Sequence, residues 1–115
     1  MRTIVAGSRG ITYMAMVREA VRSSGFRVTE VVSGGARGVD RLGERLAEEM
    51  GVPCRVFPAD WNRHGRSAGV IRNRTMAEYA DALVAVWDGS SRGTANMISQ
   101  ARQLGLEVHV HRCRH

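Results

Sequence analysis

The order of strand and helix signals predicts an α/β fold. It is expected to be a single domain over residues 1–115, in three αβα layers around a parallel five-stranded sheet of order 3-2-1-4-5. Three observations predict it. Short β-branched or apolar runs alternate regularly with amphipathic helical stripes, the pattern of parallel strands joined by helical crossovers. The run Ala82-Leu83-Val84-Ala85-Val86-Trp87 is uninterrupted, as a strand buried on both faces must be. The last run alternates Leu106, Val108, Val110 with Glu107, His109, His111, which suits a sheet edge.

In chain order, residues 3–6 form the first strand, ending at Gly7. Met14, Val17 and Val21 repeat at helical spacing over residues 12–24, and Gly25 stops that helix. Residues 28–32 are β-branched and make the second strand. Val39, Leu42, Leu46 and Met50 line one side of a second helix, with Glu44, Arg45, Glu48 and Glu49 on its wet side and Gly51 as its cap. Residues 54–57 are the third strand. Residues 58–68 form an irregular connection, longer than usual and therefore a candidate functional loop. Ile71, Thr75 and Tyr79 mark a third helix. After the strand of residues 82–87, Met97, Ile98 and Ala101 face inward on a helix of residues 94–104, which Gly105 closes. In this order Cys54 and Cys113 lie at opposite edges, too far apart to bridge.

Composition narrows the function classes. With 115 residues, 43% of them apolar and 24% charged, the chain can bury a core and is neither fibrous nor disordered. No apolar run approaches the ~18–20 residues of a membrane helix, and the opening residues are too briefly apolar for a signal peptide. Two cysteines are too few for a disulfide scaffold, so a cytoplasmic protein with no membrane partner is expected. The net charge is +6, and all 17 basic residues are arginine. Most are ordinary solvated charges. Those beside glycine-rich loops suit phosphate, which a guanidinium grips with two parallel hydrogen bonds.

In a sheet of this order, ligands bind at the carboxyl ends of the strands, where the winding reverses between strands one and four. The loops after strands one, two and four meet there, and all three are glycine-rich. They contribute Gly7, Ser8 and Arg9; Ser33, Gly34, Gly35, Arg37, Gly38 and Asp40; and Asp88, Ser91, Gly93 and Thr94. Glycines let backbone amides approach an anion, each loop opens a helix with free N–H groups, and the arginines and hydroxyls add donors. Asp40 and Asp88 suit ribose hydroxyls or a base edge; Asp40 equally suits a cap, or a pair with Arg37 or Arg41. Neither a P-loop nor the usual dinucleotide fingerprint is present.

The segments Gly7-Ser8-Arg9, Val32-Ser33-Gly34-Gly35-Ala36-Arg37-Gly38-Val39-Asp40, Phe57-Pro58-Ala59-Asp60-Trp61, Ala68-Gly69-Val70-Ile71-Arg72-Asn73-Arg74 and Trp87-Asp88-Gly89-Ser90-Ser91-Arg92-Gly93-Thr94 resemble, in that order, the YspA-type branch of the SLOG superfamily. The resemblance implies a Rossmann-like fold related to Lonely Guy phosphoribohydrolases and DNA-processing protein A. It also implies a site for a nucleotide or nucleotide-derived ligand such as ADP-ribose, an NAD derivative or a mononucleotide, in bacterial and phage proteins.

The long connection adds Trp61, with Arg63 and Arg66, and the helix after it adds Arg72 and Asn73. Anchoring on the core is the favoured reading of Trp61, and stacking on a base the second. His64 reads as an exposed loop residue. His109, His111, Cys113 and His115 alternate as a metal-ligating row would, but a solvent-facing edge explains them better, so no metal and no cofactor are expected.

The expected function is therefore binding of a nucleotide-derived ligand by a sensor or sequestering protein, with no catalytic residue assigned. The partner is a small molecule, and a homodimer is expected by analogy with related folds. Two rivals stand beside it. One is a phosphoribohydrolase, whose family pattern Pro-Gly-Gly-x-Gly-Thr-x-x-Glu is met here by Gly93-Thr94 but has Met97 in place of the glutamate. The other is a nucleic-acid module, favoured by the charge and disfavoured by only two Trp, two Tyr and two Phe for stacking bases.

Overall fold

The computed structural model describes residues 1–113. Strands β1 (Arg2–Gly7), β2 (Glu30–Ser33), β3 (Cys54–Val56), β4 (Ala82–Trp87) and β5 (Glu107–Arg112) form one sheet in the order β3-β2-β1-β4-β5, and every pairing is parallel. This is the expected order. Helices α1 (Met14–Ser24) and α2 (Val39–Met50) cover one face; α4 (Ala68–Tyr79) and α5 (Arg92–Gln103) cover the other. A four-residue α3 (Trp61–His64) and a 3-10 turn (Gly65–Ser67) precede α4.

Alternation along the strands divides the core in two, because successive side chains leave opposite faces of a pleated strand. Val5, Val31, Val84 and Val86 meet Val17, Val39, Leu42 and Leu46 on the α1–α2 side. Ile4, Ala6, Val32, Leu83 and Ala85 meet Met76, Ala77, Met97, Ile98 and Ala101 on the other. The central strands are buried on both faces, whereas β3 is exposed throughout and β5 is half-buried. Gly43 lets α2 lie against β1, since a Cβ there would stand 2.9 Å from Val5 Cβ. Cys54 on β3 and Cys113 beyond β5 are both free.

Several expectations need correction. The first helix begins at Met14 rather than Thr12, and the second strand at Glu30 rather than Val28. The connection of residues 58–68 is not irregular: it winds into α3 and the 3-10 turn, capped where Asp60 Oδ1 accepts from Arg63 N at 3.1 Å. The helix marked by Ile71, Thr75 and Tyr79 is present as α4, and that stripe does not face the core. Ile71 and Thr75 are exposed and Tyr79 is half-buried against Phe57, while Asn73, Met76 and Ala77 point inward. A search for apolar periodicity passes over that face because its first turns carry the polar Arg72 and Asn73, whose partners lie on other elements.

Candidate functional site

The strand ends converge as the topology requires. Gly7 closes β1 against β4, for a Cβ at this position would overlap Val86 O. Ser8 turns inward, is buried, and its Oγ accepts from Asp88 N at 3.1 Å, tying the β1 loop to the β4 loop. Gly38 stands at φ 80, and a Cβ on it would lie 2.5 Å from Arg9 O, so the β2 loop packs directly on the β1 loop. Ser33 is also buried: its Oγ lies 2.7 Å from Glu44 Oε2 and 3.2 Å from Asp40 O, and accepts from Gly35 N at 3.1 Å. Ser8, Ser33 and Gly38 line neither of the hollows described below and shape the loops around them.

Between these loops and α3–α5 lies a cleft of about 550 Å³, within the usual range for small-molecule sites. Ten of the residues singled out from sequence line it: Gly7, Arg9, Asp40, Trp61, Arg72, Asn73, Asp88, Ser91, Gly93 and Thr94. Gly34, Gly35 and Arg37 border a smaller adjoining hollow of about 380 Å³, which shares Arg9, Ala36, Trp61 and Arg72 with the first. Trp61 is 54% exposed, so it does not anchor the loop to the core. Its ring stands open between the two hollows, 3.7 Å from where a Cβ on Gly69 would lie. Sequence reasoning did not assign Asn96, whereas Arg66 and Arg92 stand in segments it singled out; all three line the cleft. Arg92 opens α5 right after the glycine-serine loop.

Asparagine and arginine fasten α4 across the opening. Asn73 is buried; its Nδ2 donates to Gly93 O at 3.2 Å and Asn96 Oδ1 at 3.0 Å, and its Oδ1 accepts from Arg72 Nε at 3.1 Å. Arg72 Nη1 donates to Gly34 O at 2.5 Å, so one guanidinium joins α4 to the β2 loop.

Both aspartates line the cleft and bind backbone of their own loops. Asp40 is buried and its Oδ2 accepts from Ala36 N at 3.2 Å; it faces Arg72 rather than Arg37 or Arg41. Burial pushes its carboxyl up to about 6, against the pull of the Ala36 amide and the Arg72 charge. Asp88 Oδ1 accepts from Ser90 N at 2.8 Å and Ser91 N at 2.9 Å, and these amides hold its carboxyl down at about 2. Each aspartate thus occupies backbone donors in its own loop that a phosphate would otherwise take. At α5 the Ser91 side chain makes no capping bond to the helix; its hydroxyl meets Thr94 Oγ1 at 3.1 Å.

Comparison with known proteins accords with this arrangement. Residues 1–64, from β1 through α3, match the family described as YspA, cpYpsA-related SLOG (YAcAr). The chain belongs to that SLOG family. The Gene 61 protein of Mycobacterium phage D29 is 36% identical over 118 aligned residues, covering 93% of each chain. No solved structure matches. The family's matched segment carries the β1 and β2 loops and Trp61, while Arg72, Asn73 and the β4 loop of this SLOG chain lie beyond it but within the span shared with the phage protein.

Among the described residues the arginines around the cleft form no direct ion pair, although Asp40 faces Arg72. Among the described residues the ion pairs are Arg18–Glu49, Arg22–Glu19 and Arg74–Glu78. None of these involves Arg9, Arg37, Arg66, Arg72 or Arg92. The described residues hold no group of three or more His, Cys, Asp or Glu placed to bind a metal; His115 of the alternating tail lies outside them. No helix among them is long and apolar enough to cross a membrane.

Proposed function

We propose that the cleft binds a nucleotide-derived ligand, with its phosphate on arginine and its base against Trp61. The observation that carries this reading is the gathering of Arg9, Arg37, Arg66, Arg72 and Arg92, none ion-paired among the described residues, around hollows that also hold an exposed tryptophan. Guanidinium groups fork onto phosphate oxygens, and an indole face stacks on a base or draws an arginine over it. Membership of the SLOG family supports the same class of ligand. A thermal-shift panel of AMP, ADP-ribose, NAD, cyclic nucleotides and short DNA tests it, since a ligand of the native state raises stability by mass action. A nucleotide shift is expected, weakened by Arg9→Ala and kept by Arg18→Ala. A response to DNA alone, collapsing with added salt, would favour a nucleic-acid module instead.

Binding without turnover is the form of the proposal. Met97 stands in the position of the glutamate of the phosphoribohydrolase pattern, is buried in the α4–α5 core, and has no proton to exchange. A second reading rests on Asp40, whose carboxyl at about 6 lies where a general acid or base is most effective. Incubation with AMP or ADP-ribose separates the two. Release of base or ribose phosphate that disappears in Asp40→Asn establishes the hydrolase; no release above background supports the binder.

A further inference from the structure

The two hollows that meet at Trp61 differ in charge. The larger is lined by Asp40 and Asp88 as well as by arginines. The smaller is bounded by Arg9, Arg37 and Arg72, the Gly34–Ala36 backbone, Pro58 and Ala59, and has no carboxylate in its lining. Arg72 is fixed there through Nη1 on Gly34 O and Nε on Asn73 Oδ1, and among the described residues its Nη2 has no protein acceptor. Burial weakens the hold of Arg72 on its proton; Asp40 strengthens it, and the Arg9 charge opposes it. Arg9 and Arg72 therefore repel one another across a space whose lining, among the described residues, has no anionic group. A hydroxyl-rich sugar would find few acceptors there beyond backbone carbonyls, whereas a phosphoryl group would find donors on three sides.

We propose that the smaller hollow is an outer-phosphate subsite, so that the ligand is a nucleotide carrying more than one phosphoryl group. This rests on the nucleotide reading of the cleft. The nucleoside end lies in the larger hollow, where Asp40 and Asp88 offer acceptors to its hydroxyls. An inner phosphate meets Arg9 and Arg72 on the shared wall, and the outer phosphate reaches Arg37. A diphosphate capped by a second sugar has less charge at its outer phosphate and puts hydroxyls where the smaller hollow has no carboxylate for them. It gains nothing over the uncapped diphosphate.

Titration calorimetry with the mono-, di- and triphosphates of adenosine and guanosine, and with ADP-ribose, tests this at fixed salt. A di- or triphosphate is expected to bind about tenfold or more tighter than its monophosphate, the increment of one charge-assisted contact. ADP-ribose is expected to bind no tighter than ADP. Arg37→Ala should bring the ratio of diphosphate to monophosphate affinity close to one, while Arg102→Ala, an exposed arginine near the far end of α5, leaves that ratio unchanged. Equal affinity for mono- and diphosphates, a ratio insensitive to Arg37→Ala, or ADP-ribose binding tighter than ADP overturns the subsite and leaves the nucleotide reading standing. If none of these nucleotides binds, both fall together.

Discussion

The loop after β2 and the loop after β4 use one local device in two different settings. Each leaves a parallel strand, runs through glycine and opens a helix, and in each an aspartate accepts hydrogen bonds from its own backbone: Asp40 from Ala36 N, Asp88 from Ser90 N and Ser91 N. Burial separates them. Asp40 is enclosed by the β2 loop, α2 and α4 with one close amide, and its carboxyl rises to about 6. Asp88 sits at the open rim with two amides and falls to about 2. Both loops have glycine at positive φ, the β4 loop at Gly89 (φ 88) beside the Arg112 side chain, but they differ in contact with neighbouring backbone. The β2 loop has glycines at φ 74 (Gly35) and φ 80 (Gly38), and Gly38 touches the β1 loop, while Gly93 at the start of α5 has open space where its Cβ would be. Similar sequence motifs thus make one loop packed backbone to backbone on its neighbour and one held by its own hydrogen bonds together with single bonds to Ser8 and Asn73.

Glycine replacement tests that contrast most severely. Gly38→Ala places a side chain in a backbone region reserved almost entirely for glycine and against Arg9 O. A loss of about 3–5 kcal/mol in urea unfolding is expected from strain and overlap together. Gly93→Ala, in the first turn of α5, is expected to change stability by less than about 1 kcal/mol. Similar losses from both would show that the loops are equally constrained.

A smaller effect follows from Asp40. Its carboxyl binds a proton more tightly in the folded than in the unfolded chain, so folding takes up a proton between its ordinary value of 3.8 and about 6. Stability is therefore expected to fall as pH rises through that window, by about 3 kcal/mol at most. Asp40→Asn, which keeps an acceptor for Ala36 N, is expected to flatten that part of the profile and to be at least as stable as the wild type at pH 7.5. Urea midpoints from pH 4 to 7.5 measure both.

The weakest signal belongs to Asp88, and it has the opposite sign. Its contribution is complete above the ordinary carboxylate value and is lost as pH falls through about 2. Trp87 reports on it, because its Nε1 donates to Ser91 O at 3.1 Å within the same loop. In a Trp61→Phe background, Trp87 fluorescence is expected to change between pH 4 and 2 ahead of global unfolding. Asp88→Ala should give the shifted emission already at neutral pH. An emission that ignores Asp88 would mean the loop is held by Ser8 and the sheet alone.

The sequence by itself determined the strand order and the place of the site. The continuous apolar run of β4 and the alternation of β5 follow from burial on two faces or one, and parallel crossovers then bring the glycine loops to one end of the sheet. It also made Arg9, Arg72, Asn73 and Trp61 legible as candidates, and all four line the cleft. Tertiary structure alone decided what each residue does. Helical periodicity counts apolar side chains, so it could not see that α4 turns Asn73 inward, where Gly93 O and Asn96 satisfy it, and leaves Ile71 outside. Nor could spacing show that Ser8 and Ser33 bind neighbouring loops, or that Asp40 and Asp88 titrate in opposite directions. Those outcomes depend on desolvation and on partners distant in sequence, which exist only once the strands have brought the loops together.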